Sequence, residues 1–503
     1  MLSSVNSPFF PGYVDGVYIP PDPDVLTDEE NFDDEGNLCE VREPKDIAGT
    51  FELQYVSGKD FPDETQVEDS RNRTKEDMQV LSGQQSLGDD SSDDETLASI
   101  RKKLIAGKLL HQPPDVDWKK GEIIYTHSPT SVELQDKENL KNLYGGLTPL
   151  EIFFLFFDDE VVNLVLEFTL KYASDNNRHS FSLQKEELLG FVGILLLSGY
   201  HTLPQTRLYW SNDEDKGVDV VKNCMSRNRF QSIKRNLHLS DNEKLDKSDK
   251  FSKVRPFLNM LNKKNMQFGI FVHSLSIDEQ MVPYFGRHSC KMFLKGKPVR
   301  FGFKIWCLCS SEGYLFYSLP YAGQEPNKKF SSLGLGGDVV LNSLSVVVKP
   351  INHQIFFDNF FSSFKLFVHL KNNGFFATGT IRDNRLFKCP LEETKSIGKK
   401  VRGTYAAAYD KLSNVSILRW NDNSVVTVAS NTFGVEPIGR VKRFDRKKKV
   451  EKFVPQPYVI SQYNKYMGGV DLHDNGIANY RCKVLGKKWW WPIFIIAIDS
   501  LIL

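Results

Sequence analysis

Cysteine is scarce in this sequence, and what there is carries no pattern. Seven residues (Cys39, Cys224, Cys290, Cys307, Cys309, Cys389 and Cys482) are scattered over 503 positions without one C-x-x-C pair. That spacing excludes a zinc finger within the chain, and an odd count without a framework points to a reducing compartment rather than a disulfide scaffold. Long apolar runs are missing as well. The most hydrophobic stretch, Trp489 to Ile498, is interrupted by Pro492 and closed by Asp499, and it falls short of the ~20 residues that a membrane span needs. It reads as a core-facing helix, and no membrane partner is expected. No secretory signal pattern opens the sequence. Net charge is absent too, but only in total. Residues 1–100 hold 25 Asp/Glu against 6 Lys/Arg, and residues 101–503 hold 58 Lys/Arg against 39 Asp/Glu. An acidic tail precedes a basic body, and a basic body suits a polyanionic partner.

What is there falls into stretches of different texture. Residues 1–112 are read as an acidic, disordered tail, because runs such as Asp89-Asp90-Ser91-Ser92-Asp93-Asp94-Glu95 carry no apolar periodicity. Residues 113–268 read as a helical domain. Thr148-Pro149-Leu150-Glu151 has the form of a helix start, and apolar helical patterns follow near 184–197, 225–237 (with a basic face) and 258–268. From 269 the texture becomes strand-like, at 271–278, 300–309, 313–321, 353–357 and 375–381, with helices predicted near 336–348 and 362–371. Strands alternating with helices in this way predict an α/β layout over 269–385. Residues 386–457 are Lys/Arg-rich, with short strands at 415–420 and 424–429. They read as a β-rich insertion, followed by residues 458–480 and a final segment, 481–503.

Candidate chemistry starts at Asp278, a carboxylate after the apolar run Phe271 to Ile277. Burying such a group is costly unless positive charge meets it. Asp358 closes the predicted strand His353 to Phe357, and Asp471 follows Gly468-Gly469 at a predicted helix start. If these three converge, mutual repulsion is resolved by divalent cations, and oxygen ligands favour Mg2+ or Mn2+. Taken singly, each is read more simply as a cap or turn residue. Lys295, Lys297, Arg300 and Lys304 alternate along a predicted strand and suit either phosphate contact or a solvated face. The run holding Arg443, Lys447, Lys448 and Lys449 suits a nucleic-acid patch, a nuclear localisation signal or a solvated loop. His273, His288 and His473 read first as packing residues, and Trp489-Trp490-Trp491 as a buried anchor rather than a base-stacking platform.

The motifs narrow these alternatives. Ser276-Ile277-Asp278-Glu279-Gln280-Met281 with Gly286-Arg287, Phe357-Asp358-Asn359-Phe360-Phe361, and Tyr463-Asn464 with Gly468-Gly469-Val470-Asp471-Leu472-His473-Asp474 together resemble the piggyBac transposase family. Lys295 to Trp306, Ala377 to Arg382, Arg419 to Asn423 and Gly486-Lys487-Lys488-Trp489 fit the same pattern. The resemblance covers about residues 147–500 and leans towards the domesticated piggyBac transposable element-derived proteins of animals. It implies an RNase H-like catalytic domain with Asp278, Asp358 and Asp471 as a metal-holding triad and Asp474 beside it. It implies Mg2+- or Mn2+-dependent cleavage and transfer of double-stranded DNA, transposon ends into TTAA targets. It also implies a helical DNA-binding and dimerisation domain before the catalytic core, a homodimer and a nuclear location. The family pattern continues into a cysteine-rich zinc domain that this sequence does not contain. The expectation is therefore a C-terminally truncated member with no zinc in this chain, residues 481–503 opening the closing part of the DNA-binding domain. A domesticated DNA- or chromatin-binding protein without catalysis is the alternative.

Overall fold

The computed structural model describes residues 115–125, 132–294, 298–323, 331–445 and 449–503, together with two strands nearer the N-terminus. Those two strands, β1 (Gly12–Ile19) and β2 (Thr50–Ser57), pair antiparallel with Gly12 opposite Ser57. They belong to a unit of their own, and were not expected from the pattern of residues 1–112. The remainder of the acidic tail lies outside the described residues.

In the larger unit, helices come first. Pro149–Phe156 begins at a reciprocal cap, in which the Thr148 hydroxyl accepts from the Glu151 N–H (3.3 Å) and the Glu151 carboxylate accepts from the Thr148 N–H (2.7 Å). This is the start the sequence predicted, and it satisfies two of the helix's orphan donors. Asp159–Asp175, Lys185–Tyr200, Arg227–Asn236 and Arg255–Asn265 follow. Part of the basic face expected on the third predicted helix is engaged within the fold, while Arg227 and Arg235 stay exposed. Arg229 forks onto Glu187 with two contacts of 2.7 and 2.6 Å, and Lys234 is buried beneath the Trp491 ring. Trp490, Trp491 and the Trp491–Asp499 helix are packed into this same helical core, so the apolar C-terminal run is the anchor that the sequence suggested. Among the described residues no helix is long and apolar enough to cross a membrane.

A mixed sheet forms the rest. Its strands in chain order are β3 (Trp118–Lys120), β4 (Ser274–Pro283), β5 (Met292–Phe293), β6 (Phe301–Ser310), β7 (Leu315–Pro320), β8 (Gln354–Phe357), β9 (Phe376–Thr380), β10 (Tyr405–Asp410), β11 (Val415–Asn421) and β12 (Val425–Ser430). The spatial order is β3-β10-β11-β12-β9-β8-β4-β6-β5, with β7 also on β6. β4 runs antiparallel to β6 and parallel to β8, and β8 runs parallel to β9. The helices Gly334–Leu344 and Phe364–Asn372 connect these strands and pack on one face, where Leu275, Ile277, Trp306, Phe357 and Phe367 are buried together. The β-rich insertion is not a separate body: β10, β11 and β12 continue the main sheet through β12–β9 pairing. Only β13 (Gly439–Asp445) and β14 (Val450–Gln456) form a ribbon apart from it. Trp118–Lys120, expected within the helical domain, is instead an edge strand on β10.

Candidate active site

Strand alternation decides where the acids point. Ile277 is buried on the face covered by the Gly334–Leu344 and Phe364–Asn372 helices, so its neighbour Asp278 points to the opposite face. The parallel register Ser276–Phe356, Ile277–Phe357 brings Asp278 beside Asp358, on strands roughly 4.8 Å apart. Phe356, of the same parity as Asp358, packs its ring 5.4 Å from Tyr466, which places Asp358 on that same face. Asp278 was expected at a strand end, and this is corrected. β4 runs on to Pro283 paired with β6; what stops is its partnership with β8, so among the described residues one edge of β4 is open from Asp278 onward.

The third carboxylate arrives on the helix Gly469–Tyr480, which follows Tyr458–Tyr466. Gly469 allows the helix to meet the sheet: a Cβ there would lie 2.1 Å from the Ser310 carbonyl oxygen and 2.4 Å from Ser276 Oγ. Only glycine tolerates such an approach. Asp471, in the first turn, is exposed, while Gly469, Val470, His473 and Ile477 are buried against the sheet. Asp474 is half-buried, and its Oδ1 accepts from Gln280 Nε2 at 2.6 Å. Gln280 is two residues from Asp278 and shares its face.

Burial raises the Tyr463 phenol, with smaller contributions from the charges of Asp358, Asp278 and Asp471, and its hydroxyl meets Thr380 Oγ1 at 3.4 Å. Behind Asp278, directly opposite on β6, sit Cys307 and, two residues on, Cys309. Burial pushes both thiols well up, and the charges of Asp474 and Asp278 add to it. The side chains of Asp278, Asp358, Asp471 and Asp474 supply carboxylate oxygens in this part of the fold. That donor set fits a hard cation in kind. It is not drawn together as a finished cage: among the described residues no group of three His, Cys, Asp or Glu side chains forms a metal-binding cluster.

The loop after Asp358 is fixed from below. Asp358 Oδ1 accepts from the Phe360 N–H at 2.8 Å. Arg385 Nη1 donates to the carbonyls of Asn359 (3.2 Å), Phe360 (2.9 Å) and Ser362 (2.9 Å), and Arg382 Nε donates to Asn359 Oδ1 at 2.9 Å. Sequence reading did not assign roles to Gln280, Tyr463, Arg382 or Arg385. Only Gln280 carried a usable signal, its same-face spacing from Asp278.

The expected DNA-contacting cations fare less well. Lys295, Lys297, Lys447 and Lys448 lie outside the described residues. Arg300 is exposed, and so is Lys449, at the β13–β14 turn with φ 51°. Lys304 is corrected: it is 6% exposed, with Nζ 4.0 Å from Glu279 Oε2 and over the rings of Trp306 (4.5 Å) and Phe360 (5.1 Å). It supports the sheet rather than meeting phosphate, because its ammonium is buried over those two rings and faces Glu279. Arg443 is half-buried and donates to Asp422 Oδ2 at 2.9 Å, tying the ribbon to the β11–β12 turn. His288 packs 4.3 Å from the Trp489 ring. His473 is buried and pushed to about 4 by that burial, its Nδ1 3.0 Å from the Gly313 carbonyl.

Residues 148–503 match a family model described as Transposase IS4. The human PiggyBac transposable element-derived protein 3 is 43% identical over 345 residues, 68% of this chain and 58% of that protein. The human PiggyBac transposable element-derived protein 2 is 34% identical over 423 residues, 84% of this chain and 70% of that protein. This chain thus spans little more than half the length of the first of these relatives. Among solved structures, a piggyBac transposase synaptic complex with hairpin DNA matches with a TM-score of 0.57 and 22% identity, over 76% of this chain and 75% of that one; this is a likeness of fold.

Proposed function

The chain belongs to the piggyBac transposase family, and on that premise we propose that it cleaves and transfers strands of double-stranded DNA at TTAA sites. In this reading Asp278, Asp358 and Asp471 hold Mg2+ or Mn2+, and Asp474 supports them. What supports it is the parallel register that sets Asp278 beside Asp358, with Asp471 in the first turn of the helix that Gly469 seats against Ser276 and Ser310. The order β7-β6-β4-β8-β9, antiparallel at one side and parallel at the other, favours an RNase H-like core. The reading includes a homodimer acting in the nucleus.

Each residue has a task within it. A bound pair of divalent ions would activate the attacking oxygen and steady the leaving one. Asp278 on β4 and Asp358 just past the end of β8 form the rigid side of the site. Asp471, exposed on a helix flank, forms the side that faces incoming DNA. Tyr463, which keeps its proton, serves the site as a hydrogen-bond donor. The Arg385 contacts hold the Asp358 loop still, which matters because catalytic groups must stay within a fraction of an ångström of their working geometry.

The test is strand cleavage and transfer on a TTAA duplex with Mg2+ or Mn2+, alongside Asp278→Ala, Asp358→Ala and Asp471→Ala. Wild-type activity that falls at least ~1000-fold, the scale of losing transition-state charge stabilisation, in every variant is expected. Full activity in Asp278→Ala would overturn the metal assignment. Duplex binding without cleavage by the wild type would make this a DNA-binding relative without catalysis.

A further inference from the structure

We infer that His473 and Gln280 are positioning residues that latch the Gly469–Tyr480 helix to the sheet and so set where Asp471 stands; this rests on the metal-site reading above. Two hydrogen bonds on consecutive helix positions reach two different parts of the sheet. His473 Nδ1 lies 3.0 Å from the Gly313 carbonyl, in the turn between β6 and β7. A carbonyl can only accept, so Nδ1 carries the proton. Asp474 Oδ1 accepts from Gln280 Nε2 on β4 at 2.6 Å. Both inward-reaching side chains are buried, His473 at 1% and Gln280 at 3% exposure.

Two anchors fix what one would not. A helix held at a single point can still turn about its axis and carry Asp471 off its station. The bond from 473 reaches the β6–β7 turn and the bond to 474 comes from β4, so the helix is held at two separate places. The turn that supplies the carbonyl is shaped for the helix: Gly313 has φ 101°, and a Cβ there would lie 3.3 Å from the His473 backbone nitrogen. Asp474 therefore acts through its partner as well as through its charge. Of the ring's two nitrogens, Nε2 is buried without a hydrogen-bond partner, so the ring's one polar contact is the latch.

Mn2+ binding by the full chain, followed by electron paramagnetic resonance below the melting temperature of every variant, tests this. His473→Leu and Gln280→Met remove the donors at similar volume. Each is expected to weaken Mn2+ affinity about tenfold, the scale found for partners that orient metal-ligating groups. His473→Asn, whose amide N–H can reach the same carbonyl, is expected to recover affinity to within about threefold of wild type. Hydrogen exchange of the Gly469–Tyr480 amides should quicken in the two donor-less variants and return towards wild type in His473→Asn. Unchanged Mn2+ affinity in His473→Leu and Gln280→Met, while Asp278→Ala loses binding, would overturn the latch and leave the metal site standing. No Mn2+ bound by the wild type would overturn both.

Discussion

Gly469→Ala is the sharpest perturbation this fold offers. The added Cβ would sit 2.1 Å from the Ser310 carbonyl oxygen and 2.4 Å from Ser276 Oγ. Non-bonded heavy atoms settle at roughly 3.5 Å, so the helix start must lift by roughly 1 Å. The closer contact is backbone, and backbone cannot rotate aside. Overpacking of this kind costs about 1–3 kcal/mol of stability, readable as a lower denaturant midpoint. The larger effect is local. Asp471 is two residues on, and a displacement of ~1 Å at a reacting centre costs about 100-fold in rate, some 2.7 kcal/mol of barrier. Single-turnover cleavage of a TTAA duplex measures that loss. Gly468→Ala is the control, since a Cβ there meets nothing within 4 Å, and it should leave the rate unchanged. Ser276→Gly should restore little of it, because the Ser310 carbonyl remains. Cleavage by Gly469→Ala within threefold of wild type would refute the argument that helix-to-sheet distance sets the site.

Three other outcomes follow from the structure. Lys304→Met removes a nearly buried ammonium that faces Glu279 at 4.0 Å and lies over the Trp306 and Phe360 rings; a loss of about 1–3 kcal/mol in stability is expected with duplex affinity unmoved, which a denaturant titration and a filter-binding titration would check. Asp499 is 1% exposed, and burial pushes its carboxyl up to about 7. Its folded value lies above its unfolded one, so the unfolded chain binds fewer protons between the two values and stability falls as pH rises towards and through 7. About 1 kcal/mol is expected to be lost between pH 6 and 8, and Asp499→Asn should flatten that part of the denaturation profile. Arg385→Met strips three backbone carbonyls of their donor, and a loss of about 2 kcal/mol with faster exchange at Phe360 to Ser362 is expected; unchanged exchange would mean that the arginine does not hold the loop.

Much of this was legible before any coordinates. The strand and helix periods over 269–381 come from apolar spacing, which local sequence reports well, and the Thr148 cap announced its helix. Asp278 and Asp358 were visible as residues following apolar runs, and Asp471 as one following a Gly-Gly pair at a predicted helix start. Their side-by-side placement was not, because it depends on a parallel register between segments 80 positions apart, and on one strand outrunning its neighbour. That is why Asp278 read as a strand end and proved to be mid-strand. Cations misled for a related reason: Lys304 and Arg443 look like solvent-facing charge in an alternating pattern, and only cross-strand packing reveals Glu279 and Asp422 as their partners. The role of Gln280 needed the helix to be present on the far side of the sheet.

The continuity of the sheet through β9, β12, β11 and β10 bears on how this protein can be taken apart. Residues 386–457 look in the sequence like a module that could be excised and its ends rejoined. Removing them would strip β9 of its outer neighbour and expose a row of unpaired backbone donors and acceptors along a buried strand, an edge prone to pairing with other chains. Since β9 is two strands from Asp278, a deletion meant to isolate a minimal core would instead open an edge for pairing with other chains beside the candidate centre.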